Sequence, residues 1–110
     1  MKKMKSTLNK KEFKTEVLAH PGISIVQFKA EWSGACMMLE PIYEELKKTY
    51  SLAARFFTVD VEQEPALAEE YMVQELPTML FFRDGVAQTK VSGLVPRNTL
   101  IAKIENIINQ

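Results

Sequence analysis

The stretch Ala30-Glu31-Trp32-Ser33-Gly34-Ala35-Cys36 carries the only thiol of the chain, three residues after a serine and just beyond an apolar run. A Cys-x-x-Cys pair after a buried strand is the sequence mark of disulfide exchange. One thiolate attacks, and the second resolves the mixed disulfide. Here the pair reads Ser33-x-x-Cys36. With a single cysteine the chain forms no internal disulfide, so a self-contained dithiol cycle is chemically closed to it. Ser33 reads as the N-cap of the helix that follows, its oxygen accepting from the N–H of Ala35 or Cys36. A serine nucleophile would need a base, and no Ser-His-acid set is evident. His20, the sole histidine, sits before a Pro21-Gly22 turn. Cys36 has two readings. One is a small, inert, buried residue. The other is a monothiol, activated at a helix N-terminus, that forms mixed disulfides with glutathione or a protein.

The elements that must hold these residues are legible in the apolar spacing. Asn9 and Glu12 form an Asn variant of the capping box, opening a helix through about Ala19 with Phe13 and Val17 on its buried face. Ile23 to Ala30 reads as a strand buried on both faces. A second helix runs from Ser33 to about Tyr50, with Leu39, Ile42, Tyr43 and Leu46 at helical spacing and Pro41 expected to kink it. Ala54 to Val61 is the next strand, and Pro65 opens a short helix ending near Tyr71. Met79 to Phe82 pairs with Val86 to Ser92 across an Asp84-Gly85 hairpin turn. Arg97 to Asn109 is a closing amphipathic helix with Leu100, Ile101, Ile104, Ile107 and Ile108 inward. Strands alternating with helices imply one α/β domain over 1–110, with helices on both faces of a mixed sheet.

Composition removes several function classes. Lysine plus arginine and aspartate plus glutamate balance at 14 each, so bulk charge predicts no polyanion partner. Six lysines crowd residues 1–14, while Asp60, Glu62, Glu64, Glu69, Glu70 and Glu75 share a segment without a base. These read as two solvated surfaces. The aromatics do not interleave with a basic stripe, so no nucleic acid is expected. No cluster has metal-ligand spacing and no glycine-rich loop cradles phosphate, so neither metal nor cofactor is expected. The basic start Met1-Lys2-Lys3-Met4-Lys5 lacks an apolar stretch behind it, which predicts no secretory signal, no membrane span and a cytoplasmic location. Of Met37 and Met38, one is expected in the core and one beside the site.

The order of elements, with Trp32-Ser33-Gly34-Ala35-Cys36 between a buried strand and a proline-bearing helix, resembles the thioredoxin family. Leu76-Pro77-Thr78 matches the family's cis-proline segment, and Gly93 the glycine ending its last strand. The likeness runs from about Thr7 to the end. It implies a thioredoxin-like fold, a mixed central sheet of about five strands flanked by four helices. It also implies a groove for an extended peptide, held by main-chain hydrogen bonds at Leu76 and by an apolar rim of Trp32, Leu76, Pro77, Gly93 and Leu94. The resemblance also implies that Gly34 and Ala35 of the motif face the same substrate.

The departures bear on chemistry. In the family the attacking thiol stands where Ser33 stands, and Cys36 occupies the resolving position. A buried family Asp corresponds to Gln27, and a lysine often paired with it to Thr58. Losing thiol, acid and lysine together reads as a natural variant more than as a Cys→Ser form of an active thioredoxin. The resemblance implies a monomeric thiol-redox protein with its dithiol reductase cycle disabled. Its partners would be extended protein or peptide thiols or disulfides, and glutathione for a monothiol Cys36. The alternative is a non-catalytic peptide-binding module of the same fold.

Overall fold

Asn9 turns the chain into its first helix in a computed structural model that describes residues 7–110. Its Oδ1 accepts from the Glu12 N–H at 2.8 Å, and Glu12 Oε1 accepts from the Asn9 N–H at 2.9 Å. Both ends of the capping box are therefore made. Helix α1 (Lys10–Phe13) widens into a π-helical turn, Lys14–Leu18, closed by Ala19 N–H donating to Lys14 O. Phe13 and Val17 are buried. The basic start, Met1 to Lys5, lies outside the described residues.

Strand β1 (Ile23–Lys29) is the hub of the sheet. It pairs in parallel with β2 (Arg55–Asp60) and antiparallel with β3 (Thr78–Arg83), which pairs with β4 (Val86–Ser92). The order is β2-β1-β3-β4. Among the described residues the sheet has four strands, where about five are expected. The extended start contributes one isolated parallel bridge, Thr7 to Thr58, fixed by Leu8 N–H donating to Thr58 O at 2.8 Å. On the C-terminal side of this bridge Asn9 already caps α1, so the backbone leaves the extended conformation there.

Alternation along the strands divides the core in two. Ile25, Phe56, Met79 and Phe81 pack with Leu39, Tyr43 and Leu46 of α2 (Gly34–Thr49) and Leu100, Ile104 and Ile107 of α4 (Arg97–Ile108). Val26, Phe28, Phe57 and Phe82 pack on the other face with Phe13, Val17 and Leu67, the last from α3 (Pro65–Glu70). Both faces of β1 are buried, as its apolar run requires. Pro41 stands on the exposed side of α2, which stays helical through it.

The β3–β4 turn pins the hairpin to α1. Gly85 has φ +83°, and a Cβ there would collide with the Leu18 carbonyl and stand 3.4 Å from Leu18 Cα. Gly85→Ala combines a left-handed backbone with overpacking. It is expected to cost about 2–3 kcal/mol, read as a lower urea midpoint with unchanged slope.

Candidate functional site: a serine-capped helix and a proline-lined groove

Sheet register gathers the site. Phe28 pairs with Thr78, and Thr78 with Ser92. The chain leaving β1, entering β3 and leaving β4 therefore does so at one end of the sheet. Ala30–Ser33 departs there into α2, Leu76–Pro77 arrives, and Gly93–Leu94 departs.

Ser33 is the N-cap of α2, with φ −84° and ψ 118°. Its Oγ accepts from the Cys36 N–H at 3.2 Å, which selects Cys36 over Ala35 as the donor. The hydroxyl is thus committed to a backbone group that the helix start leaves without an intrahelical partner. Ser33 is 8% exposed and Cys36 only 2%. The thiol belongs to the buried stripe that continues through Leu39, Tyr43 and Leu46. Tyr43 anchors that stripe. Its hydroxyl lies 2.6 Å from Phe57 O and 3.1 Å from Ile25 O, and burial pushes its phenol well above the usual range.

The Leu76–Pro77 peptide bond is cis. Gly93 N–H donates to Pro77 O at 2.7 Å, which sets the two segments side by side. Among the described residues, neither the amide nor the carbonyl of Leu76 has a hydrogen-bond partner. Pro77 is buried and forms floor rather than rim, whereas Leu76 and Ala35 are half-buried and Gly34 is exposed. Trp32 is 69% exposed and Leu94 41%, large apolar groups that the core does not use. Gly93 has φ +82°, and a Cβ on it would collide with the carboxylate of Glu75.

Gln27 and Thr58 are register partners on β1 and β2, and both are buried. Gln27 Nε2 donates to Thr58 Oγ1 at 3.2 Å, while Gln27 Oε1 has no partner. Alternation from Ile25 places Gln27 on the face that α2 covers. Neutral amide and hydroxyl meet there, and neither exchanges a proton near neutral pH.

Sequence reasoning passed over Lys29 and Glu40, and read Glu75 only as part of a solvated acidic surface. A cavity of about 470 Å³ lies beside α2, lined by Lys29, Ala30, Glu31, Cys36, Met37 and Glu40. Lys29 Nζ stands 3.6 Å from Glu40 Oε2 at this cavity. Met37 and Met38 are both exposed, at 67% and 64%, which corrects the expectation that one enters the core. Cys36, Leu39 and Tyr43 already fill the inward stripe, and residues 37 and 38 fall on the outer side of the helix. Among the described residues no group of three His, Cys, Asp or Glu is placed to hold a metal ion. None of their helices is long and apolar enough to cross a membrane.

Among the described residues, a four-stranded mixed sheet between two helical layers, with a helix start and a cis-proline loop at one end, defines a thioredoxin-like α/β fold. The chain belongs to the thioredoxin family: residues 4–106 match the thioredoxin family model. It is 35% identical over 98 residues to a thioredoxin of Chlorobaculum thiosulfatiphilum, covering 89% of this chain and 91% of the relative. It is 37% identical over 84 residues to a thioredoxin of Staphylococcus saprophyticus, covering 76% and 81%. It is also 32% identical over 101 residues to the chloroplastic thioredoxin M4 of Arabidopsis thaliana, covering 92% of this chain but 52% of the relative. The chain thus spans about half the length of that chloroplastic protein.

Proposed function

We propose that this protein binds extended protein segments along Leu76, in a groove lined by Trp32, Leu76, Pro77, Gly93 and Leu94, and does so without dithiol exchange. The observation that carries this reading is the backbone of Leu76. Its donor and acceptor are free at a half-buried position, ready for main-chain pairing with a peptide. Trp32, Gly34, Ala35 and Leu94 supply apolar contact around it. Ser33 holds the position of the family's attacking thiol and spends its oxygen on the helix cap. Cys36 holds the resolving position and serves as a packed core residue. The partners are the class the family handles, protein thiols and disulfides in extended form, bound here and released unchanged.

A second reading rests on the cavity beside Cys36. A small disulfide such as glutathione disulfide enters there. The Cys36 thiolate attacks one sulfur, and the other leaves as a thiolate. Alkylation of Cys36 against pH, read by intact mass in native and denatured protein, separates the two. Native alkylation roughly 100-fold slower than denatured is expected, because reaction then waits on local opening. Fast native alkylation with a midpoint below about 8.5 would favour the monothiol reading. Peptide binding should survive Cys36→Ala; its loss in a folded variant would remove the binding reading.

A further inference from the structure

We infer that the groove selects a cationic side chain, and that Glu75 is the residue that selects it. The inference rests on the binding reading above and adds the chemistry of the bound segment. Glu75 directly precedes Leu76–Pro77, and its carbonyl accepts from Thr78 Oγ1 at 2.5 Å, which fixes its backbone there. Its carboxylate reaches the neighbouring segment at Gly93. The place a Cβ would take on Gly93 lies 3.1 Å from Glu75 Cδ and 3.7 Å from Oε1. The acid therefore lies over the glycine, beside Leu76.

That carboxylate has no hydrogen bond or ion pair among the described residues. The cations of the neighbouring elements are engaged elsewhere. Lys90 Nζ donates to the carbonyls of Tyr71 and Met72, at 3.1 and 2.8 Å. Lys29 faces Glu40, and Arg97 holds Glu45 through two hydrogen bonds. No base occurs from residue 60 to 75, where Glu69 and Glu70 are exposed. An extended segment lying along Leu76 meets an unpaired negative charge flanked by apolar surface. A lysine or arginine matches both, laying its methylene stem on Leu76 and Leu94 and its charge on Glu75. A glutamate in the same place meets like charge.

Three dye-labelled, capped, cysteine-free dodecapeptides test this, identical but for a central lysine, norleucine or glutamate. Anisotropy titrations at low salt are expected to rank lysine over norleucine over glutamate, with lysine about fivefold to tenfold tighter than glutamate. The gap should narrow at high salt as screening shortens the reach of the charge. Glu75→Gln should bring the three affinities together, and Glu75→Asp should keep their order. Equal affinities in the parent, or an unchanged ranking in Glu75→Gln, would overturn the inference and leave the groove reading standing. Absence of binding by all three peptides would overturn both.

Discussion

Ser33→Cys is expected to make this protein a measurable disulfide reductase. The N-cap is already formed, with Cys36 N–H 3.2 Å from the atom that the new sulfur would replace. The cap and N3 positions of one helix turn place two cysteines close enough to bridge. Backbone N–H groups and the helix dipole stabilise a thiolate at the cap. The introduced thiolate would attack a disulfide bound along Leu76, expelling one thiolate and forming a mixed disulfide. Cys36 would then attack the introduced sulfur, releasing the second thiolate and leaving an internal disulfide between positions 33 and 36. With dithiothreitol as the terminal reductant, turnover on a protein disulfide should rise at least about tenfold over the parent. The same change weakens the cap, so stability should fall by about 1 kcal/mol. A folded Ser33→Cys variant that forms the internal disulfide yet shows no turnover would mean that the groove does not present disulfides to this helix. Such a result would strengthen the binding reading.

The fold was readable wherever one local rule dominated. The Asn9–Glu12 box, the unbroken apolar run of β1 and the Asp84-Gly85 turn each depend on neighbours in sequence, and each stands where that rule places it. How far the start joins the sheet was not readable: among the described residues Thr7 and Leu8 approach Thr58, and Asn9 is already committed to a helix cap. Two residues in extended form look the same whether one bridge or a full ladder follows. Met37 and Met38 misled for a related reason. Hydrophobicity does not say which side of a helix is inward once Cys36, Leu39 and Tyr43 take that side.

The candidate site was legible as motif and not as contact. Ser33, Cys36, Leu76, Pro77 and Gly93 came from local patterns and resemblance. Glu75 carries no such mark, because its approach to Gly93 joins segments 18 positions apart, 75 to 93. The cavity lined by Lys29 and Cys36 likewise depends on how α2 settles on the end of β1. Long-range packing writes no periodic signal in either segment. The Gln27–Thr58 pair lies between these cases. Resemblance marked both positions as departures, and sheet register makes them one hydrogen-bonded unit.

That unit offers the second large effect, through Gln27→Asp. Gln27 is 1% exposed, and Thr58 is the one partner its side chain has. Burial disfavours the charged carboxylate, so the folded-state pKa of an aspartate here should rise above its unfolded value of about 3.9. Below that value both states hold the proton, and the variant should lose only about 1 kcal/mol from the shorter side chain. Above it the unfolded chain ionises first, and unfolding free energy should fall by about 1.4 kcal/mol per pH unit. The fall ends where the folded group ionises as well. A hydrogen bond from Thr58 limits the displacement, so the total loss between pH 4 and pH 8 should be about 2–4 kcal/mol. Urea titrations of parent and variant across that range measure it directly. A flat difference would mean that water reaches the carboxylate and that the Gln27 site is not sealed. The steep result carries a consequence for chemistry. A carboxyl held neutral into the neutral range is a proton carrier on the α2 face of the sheet, which Gln27 cannot be. In the Ser33→Cys background, Gln27→Asp should therefore raise turnover above Ser33→Cys alone. The amide at Gln27 would then account for a lower turnover in Ser33→Cys than in the double variant.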